Sequence, residues 1–269
     1  SQRGSIDENA WSRMRAGRVT ISRQVSLGRL TASLSGFDER RGNGTPLARN
    51  EGDGLDWSLG VEKSEAKTII FGQERNFSSV FSKVAADRAS ERVALDQYSV
   101  PSKALGFVHQ GTWDAPRGEL KFSMEAIRRE GHTHEENGFS GIRSRAGGRQ
   151  TQIGASITNA WETKETWQLI GSLRGDWFSN TRGIGPGSSF PARQDVDAGG
   201  SLQLSKEISP LLEARGTVRS HVRHPTLNEL YRRYQVGAFK VAANENLTNE
   251  RINGFEVGLD WRPSDRCSS

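Results

Sequence analysis

The sequence predicts an all-β protein, a partial transmembrane β-barrel whose antiparallel strands run up and down. Three observations support this fold class. Apolar and polar residues alternate along one segment after another, as they do in a strand with one apolar and one wet face. These segments are about 10 to 13 residues long, whereas strands that cross a bilayer need about 9 to 11. Long and short connections between these segments also alternate along the chain.

The composition is that of a folded chain that uses its apolar residues sparingly. Hydrophobic residues make up only 33% of the 269 residues, yet 30 Gly, 7 Trp and 11 Phe are unlike the composition of a disordered chain. The net charge of +5 comes from 37 Lys and Arg against 32 Asp and Glu, without a basic block. We therefore expect no nucleic-acid partner. The basic balance suits anionic small molecules or the phosphates of lipopolysaccharide.

Several common frameworks are excluded. Cys267 is the only cysteine, so no internal disulfide or zinc framework is expected, and no metal or other cofactor is predicted. No run of about 18 apolar residues predicts a transmembrane helix. The N-terminus lacks the apolar region of a signal peptide. Because the chain begins and ends within the pattern of alternating strands, we expect a fragment: one barrel domain over residues 1–269, with N-terminal and terminal-strand regions missing.

About ten strands are predicted, after a start to about residue 24 that shows no clear alternation. In chain order they are 26–36, 55–63, 67–75, 103–112, 119–130, 148–161, 166–178, 195–206, 212–223 and 251–261. Each is justified by an apolar face, for example Leu30, Ala32, Leu34; Leu55, Trp57, Leu59, Val61; Leu120, Phe122, Met124, Ala126; Ile153, Ala155, Ile157, Trp161; Trp167, Leu169, Leu173, Trp177; Val196, Ala198, Leu202, Leu204; Leu212, Ala214, Val218, Val222; Phe255, Val257, Leu259, Trp261.

The connections carry the stronger signal. Long ones and short ones alternate, and consecutive antiparallel strands place alternate connections at opposite ends of a sheet. All long loops therefore fall on one side, as in a bacterial outer-membrane barrel. The long connections are 37–54, 76–102, 131–147, 179–194 and 224–250, and the short ones are 64–66, 113–118, 162–165 and 207–210.

A soluble β-sandwich or propeller is the alternative, because its strands also alternate. Strand length argues against it, since globular strands cluster near five or six residues. Trp161, Trp177 and Trp261 lie towards the ends of apolar faces, as in an aromatic girdle. Charges also occur in mid-strand on the polar face, where a wet lumen would solvate them. The predicted lumen-facing polar residues are Glu213, Arg215, Arg219 and His221.

The stretch around the last long connection resembles a known family. R-H-P-T-L-N-E-L-Y at 223–231, A-N-E-N-L at 243–247 and G-F-E-V-G-L-D-W at 254–261 resemble the C-terminal barrel region of TonB-dependent outer-membrane receptors. Glu245 and Asn249 depart from it, because they stand where the family usually has proline. The matching residues are Arg223, Pro225, Glu229, Tyr231, Asn244, Leu247, Glu250, Glu256 and Gly258.

This resemblance implies a receptor in the outer membrane of a Gram-negative bacterium. It implies a barrel of about 22 strands closed by an N-terminal plug, which takes up a scarce nutrient such as a ferric siderophore. The implied partners are outer-membrane lipid and lipopolysaccharide, a small-molecule substrate such as a ferric chelate, and the TonB complex, which is contacted only through the absent N-terminal region. No enzymatic activity is implied.

The same stretch can be interpreted from its residues alone. Pro225 ends the preceding strand, because proline cannot donate to the ladder. Thr226 can cap a short helical turn that places Leu227, Leu230 and Tyr231 on one side and folds the loop over the barrel mouth. Asn244 and Asn246 are turn formers that would reverse the chain. For any single residue of this motif, an ordered loop that closes the strand pair is a better explanation than direct ligand contact.

Other chemical signals are weaker. His132, His134, Glu135 and Glu136 could hold a metal, but they are predicted at the tip of a long loop, where a solvated polar hairpin is the better explanation because surface loops are ordinarily polar. No G-x-S-x-G elbow or complete phosphate loop supports an enzyme. Two alternatives to a receptor stay open: a passive porin, and an outer-membrane hydrolase barrel with Ser and His on its outer wall.

Overall fold

The computed structural model describes residues 3–116, 118–162, 166–236 and 239–262, so that Cys267 lies outside the described residues. No helix in this part of the chain has the length and hydropathy of a membrane-spanning helix. The elements are β1 (Trp11–Val25), β2 (Gly28–Gly42), β3 (Arg49–Lys63), β4 (Ala66–Val84), β5 (Glu91–Ser99), β6 (Ser102–Ala115), β7 (Gly118–Asn137), β8 (Arg143–Glu162), β9 (Trp167–Gly185), β10 (Ser188–Phe190), β11 (Arg193–Ser209), β12 (Leu212–Arg223), α1 (Leu227–Tyr231), β13 (Tyr234–Val236), β14 (Phe239–Val241) and β15 (Glu250–Trp261).

Nearly all of the strands belong to one antiparallel sheet of 13 strands. Its main order is β1-β2-β3-β4-β5-β7-β8-β9-β11-β12-β15, with β10 paired to β9 and β6 paired to β4 and β7. Each long strand therefore pairs with the next one along the chain. Within the described residues β1 and β15 are the two edges of this sheet, and β13 and β14 form a small separate hairpin.

β5 and β6 together occupy one position in the sheet. Both lie between β4 and β7 and run in the same direction, β5 against Ser79–Val84 and β6 against Ala66–Arg75. The break falls at Pro101, which has no N–H to donate. Hydrogen bonding continues across the break, because Val100 N donates to Phe77 O (2.8 Å) and His132 N donates to Pro101 O (3.0 Å).

The alternation of connections is confirmed. Segments 43–48, 85–90, 138–142, 186–192 and 224–249 join strands at one end of the sheet, which we call the long-loop end. Two-residue links such as 26–27, 64–65 and 210–211 join them at the other, the short-turn end. Four of the long loops are shorter than predicted, because the strands extend beyond the segments in which apolar and polar residues alternate clearly.

All ten predicted strands are present, and the structure adds β1 and four strands inside the predicted long loops, β5, β10, β13 and β14. β1 pairs with β2 over its whole length, from Trp11 opposite Gly42 to Val25 opposite Gly28. Its outward positions hold only a short apolar run, Val19 and Ile21, flanked by Gly17 and arginines. The alternation in the sequence is therefore too short to reveal it.

The two faces of the sheet differ in chemistry. We call the face that carries Leu202, Val218 and Phe255 the outer face and the opposite one the inner face. Large apolar side chains are exposed on the outer face, with Val196 at 78% and Phe255 at 81%. The inner face carries charges and hydroxyls, whose ion pairs and hydrogen bonds link adjacent strands. An extensive exposed apolar face is rare in soluble proteins and indicates a surface that is covered in the working protein.

The packed core is small and lies on the inner face at the long-loop end. Leu230 is 1% exposed, and Tyr231 and Phe178 are each 3% exposed. The first two belong to α1 and the third to β9, so the core forms where segment 224–249 folds against the wall. This contact positions the candidate site.

Candidate functional site

Segment 224–249 begins with a capped helix. The Thr226 side chain accepts a hydrogen bond from Glu229 N (3.3 Å), and the Glu229 carboxylate accepts one from Thr226 N (2.8 Å). This reciprocal pair is a capping box, which satisfies two backbone donors at the start of α1. The helix buries Leu230 and Tyr231. The predicted cap and helical turn are thus confirmed.

Arg223 joins the start of the segment to its end. Its Nη1 and Nη2 donate to the two carboxylate oxygens of Glu229, each at 3.1 Å. Its Nε and Nη2 also donate to Glu250, at 2.8 and 2.7 Å. Three residues of the sequence motif therefore form one cluster. The planar guanidinium suits such two-pronged contacts with carboxylates.

Glu229 is the most strongly perturbed acid of this cluster. Hydrogen bonds from Arg223 and from Thr226 lower the pKa of the Glu229 carboxyl to about 2. The Glu229 carboxylate therefore stays ionised at neutral pH. The role of the cluster in the geometry is to hold the two ends of the segment together.

Tyr231 fixes the helix against the wall. Its ring stacks on Phe190 with the centroids 5.2 Å apart. Opposite it are Gly183, where an added Cβ would lie 2.6 Å from Tyr231 Cζ, and Gly148, where it would lie 3.2 Å from Tyr231 Cε2. Only glycine leaves room for the ring at Gly183. Burial raises the pKa of the Tyr231 hydroxyl.

The beginning of the segment makes two further contacts with the wall. Gln150 Nε2 donates to Pro225 O at 2.8 Å in a buried position. The His224 ring stacks on Phe178, with 4.0 Å between the centroids and 6° between the planes. β12 ends at Arg223, just before Pro225, and the chain then turns towards the inner face.

A buried ion pair holds the C-terminal end of α1. Arg232 and Glu135 approach to 2.9 Å, and their side chains are only 12% and 10% exposed. Glu135 lies on β7, 97 residues earlier in the chain. Ser144 Oγ also donates to its carboxylate (3.3 Å). Removing one partner of such a pair is expected to be costly, since the other charge stays buried.

The return half of the segment is tied down by side chains. Asn246 N donates to Asn244 Oδ1 at 3.0 Å, which makes the predicted asparagine turn. Asn244 N donates to Glu229 O at 3.1 Å, and Arg193 Nη1 donates to Leu247 O at 2.7 Å. The backbone of Asn244 therefore joins the return half of the segment to α1, and its side chain forms the turn. The backbone of Leu247 joins the same half to β11.

The remaining motif residues lie on the inner face of β15. Gly258 is opposite Arg215, and a Cβ there would lie 2.8 Å from Arg215 Nε. Arg215 therefore lies across Gly258, where it reaches Asp260 at 2.8 Å and Glu256 at 4.0 Å. Gly254 gives Arg219 similar room on the same strand, at 3.3 Å from its Nε.

The structure brings the four predicted lumen-facing residues to one face. Glu213, Arg215, Arg219 and His221 alternate with the outer-face residues of β12, so all four lie on the inner face. Arg215, Arg219 and His221 are exposed. Glu213 pairs with Arg262 at 3.7 Å. These side chains are available to a solute on the inner side, although no ligand is assigned to them.

Sequence reasoning missed an inner-face cluster on β7, β8 and β9. Arg174 pairs with Asp176 at 2.6 Å and also with Glu125, and Gln152 Nε2 donates to Asp176 Oδ1 at 3.0 Å. The sequence does place each of these residues at a polar position in the alternation of a predicted strand, so their common face could have been predicted. Their meeting across three strands depends on register, which the sequence does not show.

The H-T-H-E-E motif is placed differently from the prediction. Residues 132–136 lie within β7, and the loop tip is at 138–142. Strand alternation sends His132, His134 and Glu136 to the outer face and Glu135 to the inner face, where Arg232 binds it. In the described part of the chain no three His, Cys, Asp or Glu residues are grouped as a metal site would require.

Comparison with known proteins agrees with the resemblance found in the sequence. The family model described as "TonB dependent receptor-like, beta-barrel" matches residues 5–267. A comparison of the sequence with curated proteins finds no match.

Similar folds occur among solved structures. The copper transporter OprC superposes with a TM-score of 0.69 at 13% identity, covering 94% of this chain and 43% of that chain. The ferric-catecholate import receptor Fiu from E. coli K12 gives 0.68 at 11%, covering 97% and 50%. The ferric yersiniabactin uptake receptor FyuA from Yersinia pestis gives 0.60 at 11%, covering 94% and 43%. The present chain thus spans half or less of their length.

Proposed function

The chain belongs to the family of TonB-dependent receptor-like β-barrels, and from this premise we propose that it forms part of the wall of an outer-membrane receptor for a scarce nutrient. The nutrient is taken up by TonB-dependent transport, and its chemical class is a metal chelate such as a ferric siderophore. The outer face meets lipid and lipopolysaccharide. The inner face meets the substrate and the plug.

One observation carries this proposal: the polarity of the sheet is inverted. Leu202 and Val218 are exposed at 47% and 56% on the outer face, whereas buried residues include Gln150, Ser179 and Asn180. A soluble protein would bury apolar residues such as Leu202 and Val218. A wall between hydrocarbon and a wet lumen exposes these residues to lipid instead, and the charges on its other side are solvated in the lumen.

The attached segment 224–249 supports a receptor over a passive pore. It folds onto the inner face of the wall and is fixed there by Tyr231, by the buried pair of Arg232 and Glu135, and by Arg223. A segment held this firmly narrows the space on the inner side and gives it a defined shape. A defined shape favours selection of one bulky solute.

Two exposed inner-face side chains, the cation Arg219 and the N–H donor His221, support an anionic substrate. Arg219 and His221 are exposed on β12, and none of the ion pairs of the described residues involves them. A ferric chelate with net negative charge would be attracted to such groups. TonB would act on the N-terminal region of the full-length protein, and the barrel would be a single domain over residues 1–269.

Cell fractionation and uptake of the full-length gene product test the proposal. We expect the protein in the outer membrane, and we expect uptake of a radiolabelled ferric siderophore that stops when TonB is removed. The variant R219Q should lower uptake, whereas R29Q, on the inner face at the short-turn end, should change it little. Recovery of the protein in the soluble fraction would refute the receptor proposal, and uptake that continues without TonB would favour a passive porin. Ester cleavage that is lost on replacing one Ser would favour the hydrolase.

A further inference from the structure

The outer face carries a groove near the short-turn end, on β8, β9, β11 and β12. The groove has a volume of about 650 Å³, which is within the range of small-molecule sites. It forms because small residues lie between large ones. Gly171 on β9 and Gly200 on β11 are outer-face positions, and each lies opposite a leucine. Ser220 on β12 pairs with Gly200. We call this feature the outer groove.

One polar side chain is buried in the outer groove. Asn159 on β8 lies on the outer face between Leu120 and Gly171, and it is only 9% exposed. Its Nδ2 donates to Glu119 O at 3.3 Å, which leaves Oδ1 as the free acceptor of the amide. Among the described residues no donor reaches this buried oxygen. Because buried polar atoms are ordinarily hydrogen-bonded, an acceptor without a partner here indicates a missing donor.

The outer groove lies just inside the aromatic girdle of the short-turn end. Trp161 is the next outer-face residue after Asn159 on β8, and Trp113 pairs with Leu120 in the neighbouring strands. Such rings lie at the level of the lipid headgroups. Two residues of a strand span about 7 Å, so Asn159 lies where headgroups join acyl chains. The Trp161 ring leans across Gly171, where a Cβ would lie 3.0 Å from its Cζ3, and it must rotate outward to admit a ligand.

We propose that the outer groove binds a monoacyl glycerophospholipid, whose free glycerol hydroxyl donates to Asn159 Oδ1 and whose single acyl chain lies between Leu173 and Leu202. This inference rests on the proposed outer-membrane function, which puts the short-turn end in the periplasmic leaflet. At this depth a diacyl phospholipid offers only ester oxygens, which accept hydrogen bonds but cannot donate them. Removal of one acyl chain leaves a hydroxyl on the glycerol. A monoacyl lipid therefore supplies the missing donor together with a shape narrow enough for the groove.

Native mass spectrometry of the full-length protein, extracted in mild detergent and supplied with one lipid at a time, tests the groove. We expect lysophosphatidylethanolamine to be retained by the natural protein. In N159L, which removes the acceptor, retention should fall about five-fold, the effect of one hydrogen bond. S220L keeps Asn159 but fills the groove, so it should also lower retention. N253L is the matched control, because Asn253 lies on the outer face of β15 and does not line the groove. It should retain the lipid fully.

The outcomes separate this site from the receptor proposal. Unchanged retention in folded N159L or S220L, or an equal loss in N253L, would overturn the groove. Equal retention of diacyl phosphatidylethanolamine or of palmitate would also overturn it, because neither brings a glycerol hydroxyl to Asn159. Unaltered heat-modifiable migration on gels should show that N159L is folded, and if it did not fold, S220L would decide. Uptake without TonB would refute the receptor alone, whereas recovery of the protein in the soluble fraction would refute both proposals.

Discussion

Breaking the buried ion pair between Arg232 and Glu135 should release segment 224–249 from the wall. In E135Q the carboxylate is replaced by a neutral amide, and the buried Arg232 loses the negative charge of Glu135. Loss of one partner of a buried pair costs about 3 to 5 kcal/mol. We expect the low end, because side-chain exposures of 12% and 10% leave water some access.

Hydrogen exchange of the α1 amides measures this cost. Leu230 N donates to Thr226 O and Arg232 N to Asn228 O, so both amides are protected while the helix stays docked. A loss of about 3 kcal/mol should speed their exchange by about two orders of magnitude. E136Q is the matched control, because Glu136 pairs with Arg143 at a site where the side chains are 36% and 74% exposed. An exposed pair contributes only about 0 to 1 kcal/mol.

A double variant completes the experiment. Replacing both Glu135 and Arg232 by leucine removes both buried charges, and it should recover most of the protection lost in E135Q. If the α1 amides of E135Q exchanged no faster than those of E136Q, the pair would not hold the segment, and our account of its docking would be wrong.

Three further predictions concern the segment and the wall. G183A places a Cβ 2.6 Å from Tyr231 Cζ and should loosen α1 by about 1 to 3 kcal/mol, seen as faster amide exchange, whereas G175A, with open space around its Cβ, should be nearly neutral. The pKa of Glu229 is about 2 against an ordinary 4.5, so the stability that its carboxylate gives to the docked segment is complete above pH 4.5 and is lost as the pH falls through 2. In R223Q this loss of stability should move up towards pH 4.5, measured as pepsin cleavage of the segment. A pH profile that did not move would refute the role of the cluster. L202R puts a charge in the outer apolar face at a cost of about 2 to 4 kcal/mol if this position lies near the bilayer midplane and should reduce assembly, whereas Q203R on the inner face should assemble normally.

The faces of the sheet were predictable from the sequence because their chemistry has a period of two. Val218 and Arg219 were assigned to opposite faces from alternation alone, and the register agrees. The ends of the strands were not predictable in the same way. Residues 131–137 continue β7 with polar residues on both faces, so the hydrophobic signal stops before the strand does.

The candidate site was predictable only where its contacts are local. The Thr226 cap and the burial of Leu230 follow from spacing within one helical turn. The pair of Arg232 and Glu135 joins residues 97 positions apart, and the place of Tyr231 depends on Gly183. Such contacts require the register of several strands, which no short sequence pattern contains.

Cysteine accessibility on β12 tests the central claim most directly, namely that the outer face of the wall meets lipid and the inner face meets water. In the full-length protein with every native cysteine, Cys267 included, replaced by Ser, single cysteines are introduced at Thr217, Val218 and Arg219 and exposed to a membrane-impermeant maleimide after outer membranes have been opened. We predict rapid labelling at 217 and 219, the inner-face positions, and protection at 218 on the outer face. Equal labelling at all three positions, or labelling at 218 alone, would contradict the account.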